Sequence, residues 1–258
     1  MNPFNLSESQ VLLFMLMFVR VGALIFFTPI LGGANVPSHA KIGLAFFVAL
    51  MLLPLVDFKF VEYPKGVFSF ALLVSSELLI GMIIGFSVRL LMSAVQIAGT
   101  TIGFQMGFGI VNVIDPVTSL QVSVISQFQN LVGYLIFLSI NAHHIILNSI
   151  ASSFQLIPPL GFEFSGDMVN IYMNIVRDVF VVSVKIAGPL IATLLFTSVA
   201  LGMIARTVPQ MNVFIVGFPL QIGLGLLMIG LTLPLFNMVI NNIAGLIEQN
   251  IFALMKAM

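Results

Sequence analysis

Hydrophobic positions run along this chain in long blocks separated by short polar breaks. A helix that crosses a bilayer needs roughly 20 largely apolar residues. Six blocks approach that length: Val11 to Thr28, Ile42 to Val56, Phe68 to Met92, Leu131 to Ile150, Phe180 to Ala205 and Phe214 to Ile243. The second is short and contains Pro54; the last is interrupted by glycines and Pro234. Between the third and fourth lies Ser93 to Asn130, rich in Gly, Ser, Gln and Asn. At its centre stands QMGFGIVNVIDPVTSL, residues 105–120, neither a good span nor a charged loop. The pattern predicts one all-helical membrane unit with about six long apolar helices or hairpins, because an open sheet edge leaves its backbone unsatisfied in lipid.

Composition narrows the class. Only 7% of the 258 residues are charged and 60% are hydrophobic, against about 25% charged in a soluble domain. The formal net charge is zero, so nothing favours nucleic acid. The chain has no cysteine, which excludes disulfides, thiolate metal sites and cysteine nucleophiles. The N-terminal MNPFNLSESQ has no Lys or Arg and no small-residue cleavage site follows, so the first block reads as a retained span. Lys/Arg bias does not orient six spans: Lys59, Lys65, Arg177 and Lys256 on one side face Lys41, Arg89 and Arg206 on the other.

Glycines mark close packing. Gly81 and Gly85 share one helix face, as do Gly99, Gly103 and Gly107, and such spacing lets a neighbouring backbone approach. Glu77 and Arg89 bracket the first pair. That stripe predicts contact with protein rather than lipid, either within the chain or on another subunit. For Ser93–Asn130 two readings stand: a segment with a bent, apolar loop, or one kinked helix buried against a neighbour.

Intramembrane charges are costly and usually paired or functional. They are Arg20, Glu77, Arg89, Lys185 and Arg206. Arg20 and Glu77 are candidate partners in a buried pair; a snorkelled Arg20 is the alternative. A proton relay would need several carboxylates, and only Glu77 lies well inside a span. His143 and His144 are adjacent, so they do not share a helix face as metal ligands one turn apart would. Ser165-Gly166-Asp167 has no base in evident reach, and no nucleophile, base and oxyanion set assembles. The expectation is a non-enzyme with no catalytic residue, metal or cofactor. Pro29 and Pro37 bracket a Gly-rich turn, and Pro189, Pro209, Pro219 and Pro234 fall in or beside the C-terminal blocks, where each would kink or end a helix.

Five stretches, in order, resemble one family. They are RVGALIFFTPILGGANVPSHAKIGLAF (20–46), ELLIGMIIGF (77–86), AGTTIGFQMGFGIVNVIDP (98–116), LIFLSINAHHIIL (135–147) and TVPQMNVFIVGFPL (207–220). Together they resemble the FliR/SctT family of type III secretion export gate proteins. Pro209, Gln210, Asn212, Gly217 and Pro219 look like its signature in the flagellar rather than the injectisome branch.

The resemblance implies a single copy in a hetero-oligomeric gate with FliP and FliQ. FlhB would wrap the gate and FlhA would lie beneath it, in the flagellar basal body at the bacterial inner membrane. Unfolded flagellar proteins would pass through the channel. It implies one unit over 1–258, FliP-like over about 1–179 and a FliQ-like helical hairpin over about 180–258. It also implies a channel plug at about 104–122, with Gln105, Met106, Gly107, Phe108, Gly109, Ile110, Val111, Asn112, Asp115 and Pro116 in it. Their chemistry suits that role: glycines bend, Met fills irregular space, Asp115-Pro116 ends a helix, and a near-neutral lining does not trap charged polypeptides. Two other classes remain beside it: a small-solute secondary transporter, for which no inverted repeat is evident, and a scaffold that never touches substrate.

Overall fold

The computed structural model describes residues 8–33, 35–54, 66–109, 123–158, 161–210 and 212–258. Their regular elements are helices: α1 (Glu8–Phe27), α2 (Ser38–Leu52), α3 (Val67–Gln105), α4 (Val124–Ser139), α5 (His143–Leu156), α6 (Gly166–Thr207) and α7 (Val213–Ala257). Four of them, α1, α3, α6 and α7, are long and apolar enough to cross a membrane, with mean hydropathy of 2.0 to 2.3. The chain is an all-α membrane protein.

The six expected spans are redrawn in three places. The second block gives only the 15-residue α2, short of bilayer thickness. The fourth block is two helices, α4 and α5, bent by 66°. The break falls at Asn141, whose φ is +58°; Asn tolerates this left-handed conformation better than most residues. The third block does not stop at Met92 but continues as one helix to Gln105, 39 residues in all.

The residues fall into two compact units. The first holds α1, α2, α3 as far as Leu91, α5, α6 as far as Val176 and α7 from Gly245. Its α1 lies against α3 through the glycine stripe. A Cβ on Gly81 would strike the Arg20 carbonyl and come 2.8 Å from the Ala23 Cβ; one on Gly85 would come 2.7 Å from the Leu24 carbonyl oxygen. Leu12, Leu16 and Leu73 extend the contact as a buried apolar cluster. From the first turn of α2, the Lys41 ammonium donates to the Gly32 carbonyl at 2.8 Å and lies over the Phe26 ring. Lys41 is therefore buried and is not the loop cation that the orientation tally assumed.

The ends of two helices meet in this unit as well. The Ser165 hydroxyl accepts from the Met168 N–H at 3.3 Å and donates to the Ala257 carbonyl at 2.7 Å. It caps the start of α6 and the end of α7 together, satisfying orphan groups of both.

The second unit holds the rest of α3, α4, α6 from Arg177 and α7 as far as Ala244. Here α3 and α4 meet through small residues. A Cβ on Gly99 would lie 2.5 Å from the Ser126 Cα, and Ser126 Oγ donates to the Gln96 carbonyl at 3.0 Å. A Cβ on Gly103 would strike the Ser123 hydroxyl.

Candidate functional site

Two constellations stand out, one in each unit. In the first unit, Arg20 is 1% exposed and Glu77 fully buried. Arg20 Nε donates to Glu77 Oε2 at 2.5 Å and Nη2 donates to Glu77 Oε1 at 3.0 Å, the paired fork that suits guanidinium and carboxylate. The outer edge of the same guanidinium serves α5. Nη1 donates to the Ser153 carbonyl at 2.9 Å and the Ile157 carbonyl at 3.2 Å; Nη2 also reaches the Ile157 carbonyl, at 3.1 Å. These carbonyls belong to the last turn of α5 and the residue after it. The Ser153 carbonyl also accepts from the Ile157 N–H at 2.9 Å, the Ile157 carbonyl lies past the end of the helix, and a cation is favoured there. The Phe154 ring centroid lies 4.4 Å from the guanidinium carbon. Arg20 thus ties α1, α3 and α5 together. Nearby, the Tyr172 hydroxyl of α6 donates to the Ile83 carbonyl of α3 at 2.8 Å, with Ser87 Oγ 3.2 Å away.

In the second unit, the opening of the 105–120 stretch is a helix cap. The Phe108 N–H bonds the Gly103 carbonyl at 3.1 Å and the Gly107 N–H bonds the Phe104 carbonyl at 3.0 Å. With Gly107 at φ +92°, this is a Schellman motif, and its left-handed position favours glycine. Helix α3 therefore stops at Gln105 and is capped at Gly107, well before Asp115-Pro116. The turn seats on α7: Phe218 ring atoms lie 2.7 and 2.9 Å from where a Cβ on Gly107 would stand. In return, the fully buried Met106 lays its side chain on Gly225.

The family profile of bacterial export proteins, family 1, matches residues 11–246. The chain belongs to that family. This export protein is 37% identical to the flagellar biosynthetic protein FliR of Bacillus subtilis (strain 168), covering 90% of each chain. It is 34% identical to the FliR of Aquifex aeolicus (strain VF5), over 92% of this chain and 91% of the relative. With the FliR of Escherichia coli (strain K12) the identity is 30%, over 90% and 91%.

The remaining residues singled out in this export protein fall as follows. Ile110, Val111, Asn112, Asp115 and Pro116 lie outside the described residues, while Gln105, Met106, Gly107, Phe108 and Gly109 form the cap at the end of α3. Arg89, Lys185 and Arg206 are exposed on the chain, so of the five intramembrane charges only Arg20 and Glu77 are brought together. The signature residues build the connection between α6 and α7. Pro209 follows the end of α6 and stops it. The Asn212 side chain accepts from the Ile215 N–H at 3.4 Å as the N-cap of α7. Gly217 is buried against Leu201, and Pro219 sits inside the early part of α7; Gln210 is exposed. Sequence reading missed the Ser153 and Ile157 carbonyls, which carry no side-chain signal. It also missed Gly225, one of several glycines in GFPLQIGLGLL that the sequence alone does not rank.

Proposed function

We propose that this chain is the FliR-like subunit of the flagellar protein export gate in the bacterial inner membrane. It assembles there with FliP and FliQ around a channel for unfolded flagellar proteins. The observation that carries this is the match to relatives named FliR over about 90% of both chains, which spans most of the length and not one motif. The apolar surface agrees: only 22% of the hydrophobic window in α7 is buried within the chain, leaving broad faces for lipid and for other subunits.

In this reading one copy joins the complex, FlhB wraps it and FlhA lies beneath. Residues of about 1–179 are the FliP-like part and about 180–258 the FliQ-like hairpin. No residue acts as a catalyst. The stretch of about 104–122 is the plug, and the cap at Gln105–Gly109 is its root. A complex lacking residues 106–114 tests the plug: reconstituted in vesicles, it conducts ions at rest, whereas a leak no greater than the parent's would remove the plug from this stretch.

A further inference from the structure

Met106 and Phe218 are each seated on a glycine of the other's segment. Met106 places Cγ, Sδ and Cε 2.6 to 2.7 Å from where a Cβ on Gly225 would stand. That approach exists only because Gly225 has no side chain. Phe218 does the same over Gly107. Phe218 and Gly225 are seven positions apart on α7, two turns along one face. Gln221 lies on α7 between them, and its side-chain amide donates to the Ser198 hydroxyl of α6 at 3.0 Å. The turn is thus clasped at two points on a face of α7 that is itself tied to α6.

Two features suit this clasp to release. Met is unbranched and turns about three bonds, so it leaves a notch without backbone movement. Beside Phe218 is a cavity of about 250 Å³ bounded by Leu201, Gly202, Gly217, Phe218 and Gln221. It gives the Phe218 ring somewhere to swing when Gly107 moves.

We propose that Gly225 and Phe218 are positioning residues for the gate: they form a seat on α7 that holds the root of the plug at rest, and Met106 leaves Gly225 when the channel opens. This rests on the gate reading above. The seat places no charge on the turn, so a passing polypeptide meets a two-position packing contact rather than an ion pair to break.

A size-swap tests it. Gly225→Leu fills the notch and displaces Met106. The complex purified with co-expressed FliP and FliQ and placed in vesicles is expected to assemble and to leak ions at rest. Adding Met106→Ala makes room for the new side chain and is expected to restore the seal, a rescue that general misfolding does not give. A Gly225→Leu complex as tight as the parent, or a leak that Met106→Ala leaves unchanged, overturns the seat.

If Gly225→Leu fails to assemble, Met106→Cys with Gly225→Cys decides. The chain has no cysteine of its own and the two positions lie within disulfide reach. A disulfide in the resting complex supports the seat; two free thiols after oxidation overturn it. The complex lacking residues 106–114 separates the two claims. If it leaks while Gly225→Leu stays tight, the seat alone falls. If it does not leak, the plug reading falls and the seat with it.

Discussion

Arg20 and Glu77, 57 positions apart in sequence, form a buried two-point ion pair, and the same guanidinium closes the last turn of α5. Removing one partner of such a pair leaves an uncompensated buried charge, which costs about 3–5 kcal/mol. Glu77→Ala is expected to destabilise the protein by that order, seen as an earlier unfolding transition in detergent. Glu77→Ala with Arg20→Met removes both charges and is expected to recover part of the loss. The recovery is incomplete because the Ile157 carbonyl then loses its Arg20 donors and the Ser153 carbonyl keeps only the Ile157 N–H. A double variant no better than the single would show that Arg20 matters for α5 and not for Glu77.

The stripe of small residues on α3 makes a separate prediction. A Cβ on Gly81 meets the backbone of α1, which cannot turn aside as a side-chain tip does. Gly81→Ala is expected to destabilise by about 1–3 kcal/mol through overpacking. Gly43 has nothing within 4 Å of its added Cβ, so Gly43→Ala is expected to be neutral or stabilising by up to about 1 kcal/mol through helix propensity. Unfolding midpoints of the two variants, compared side by side, check both.

Gly107→Ala combines two costs. The left-handed conformation at φ +92° costs a residue with a Cβ about 1–2 kcal/mol, and the new methyl meets the Phe218 ring. The expected outcome is a less stable protein whose 105–109 turn is cut faster by protease than the parent's. Phe218→Ala in the same chain is expected to relieve the ring contact but not the backbone strain, so the protease rate falls only part of the way back.

Tyr172→Phe removes the hydroxyl that clips α6 to the Ile83 carbonyl of α3. A single hydrogen bond of this kind contributes about 0.5–1.5 kcal/mol. The expected shift in unfolding midpoint is small, and smaller than that of Glu77→Ala. A shift as large as the Glu77 variant's would mean that the clip orders more of the first unit than its own contact.

How far the sequence could be read follows from what each feature depends on. Apolar blocks marked α1, α3, α6 and α7, because bilayer thickness acts on the sequence directly. Glycine spacing marked the α1–α3 and α3–α4 contacts, because close approach of backbones excludes a Cβ whatever the partner. The length of α3 was hidden: Gln96, Thr100 and Thr101 look like loop residues, yet the Thr hydroxyls bond carbonyls one turn back in their own helix. Gly107 was not picked out as the end of α3, because Asp115-Pro116 is a louder breaker in sequence. Yet Gly107 takes the left-handed position first. The break at Asn141 was likewise silent, since one residue of positive φ ends a helix without changing its hydrophobicity. The seat of Met106 on Gly225 depends on which two surfaces meet, and that is tertiary information no local pattern contains.

The central claim is that this chain is one subunit of a mixed gate. Native mass spectrometry in mild detergent, after co-expression with the cognate FliP and FliQ proteins, tests it most directly. The account predicts a closed hetero-oligomer containing a single copy of this chain. A homogeneous homo-oligomer that leaves both partners behind would contradict it.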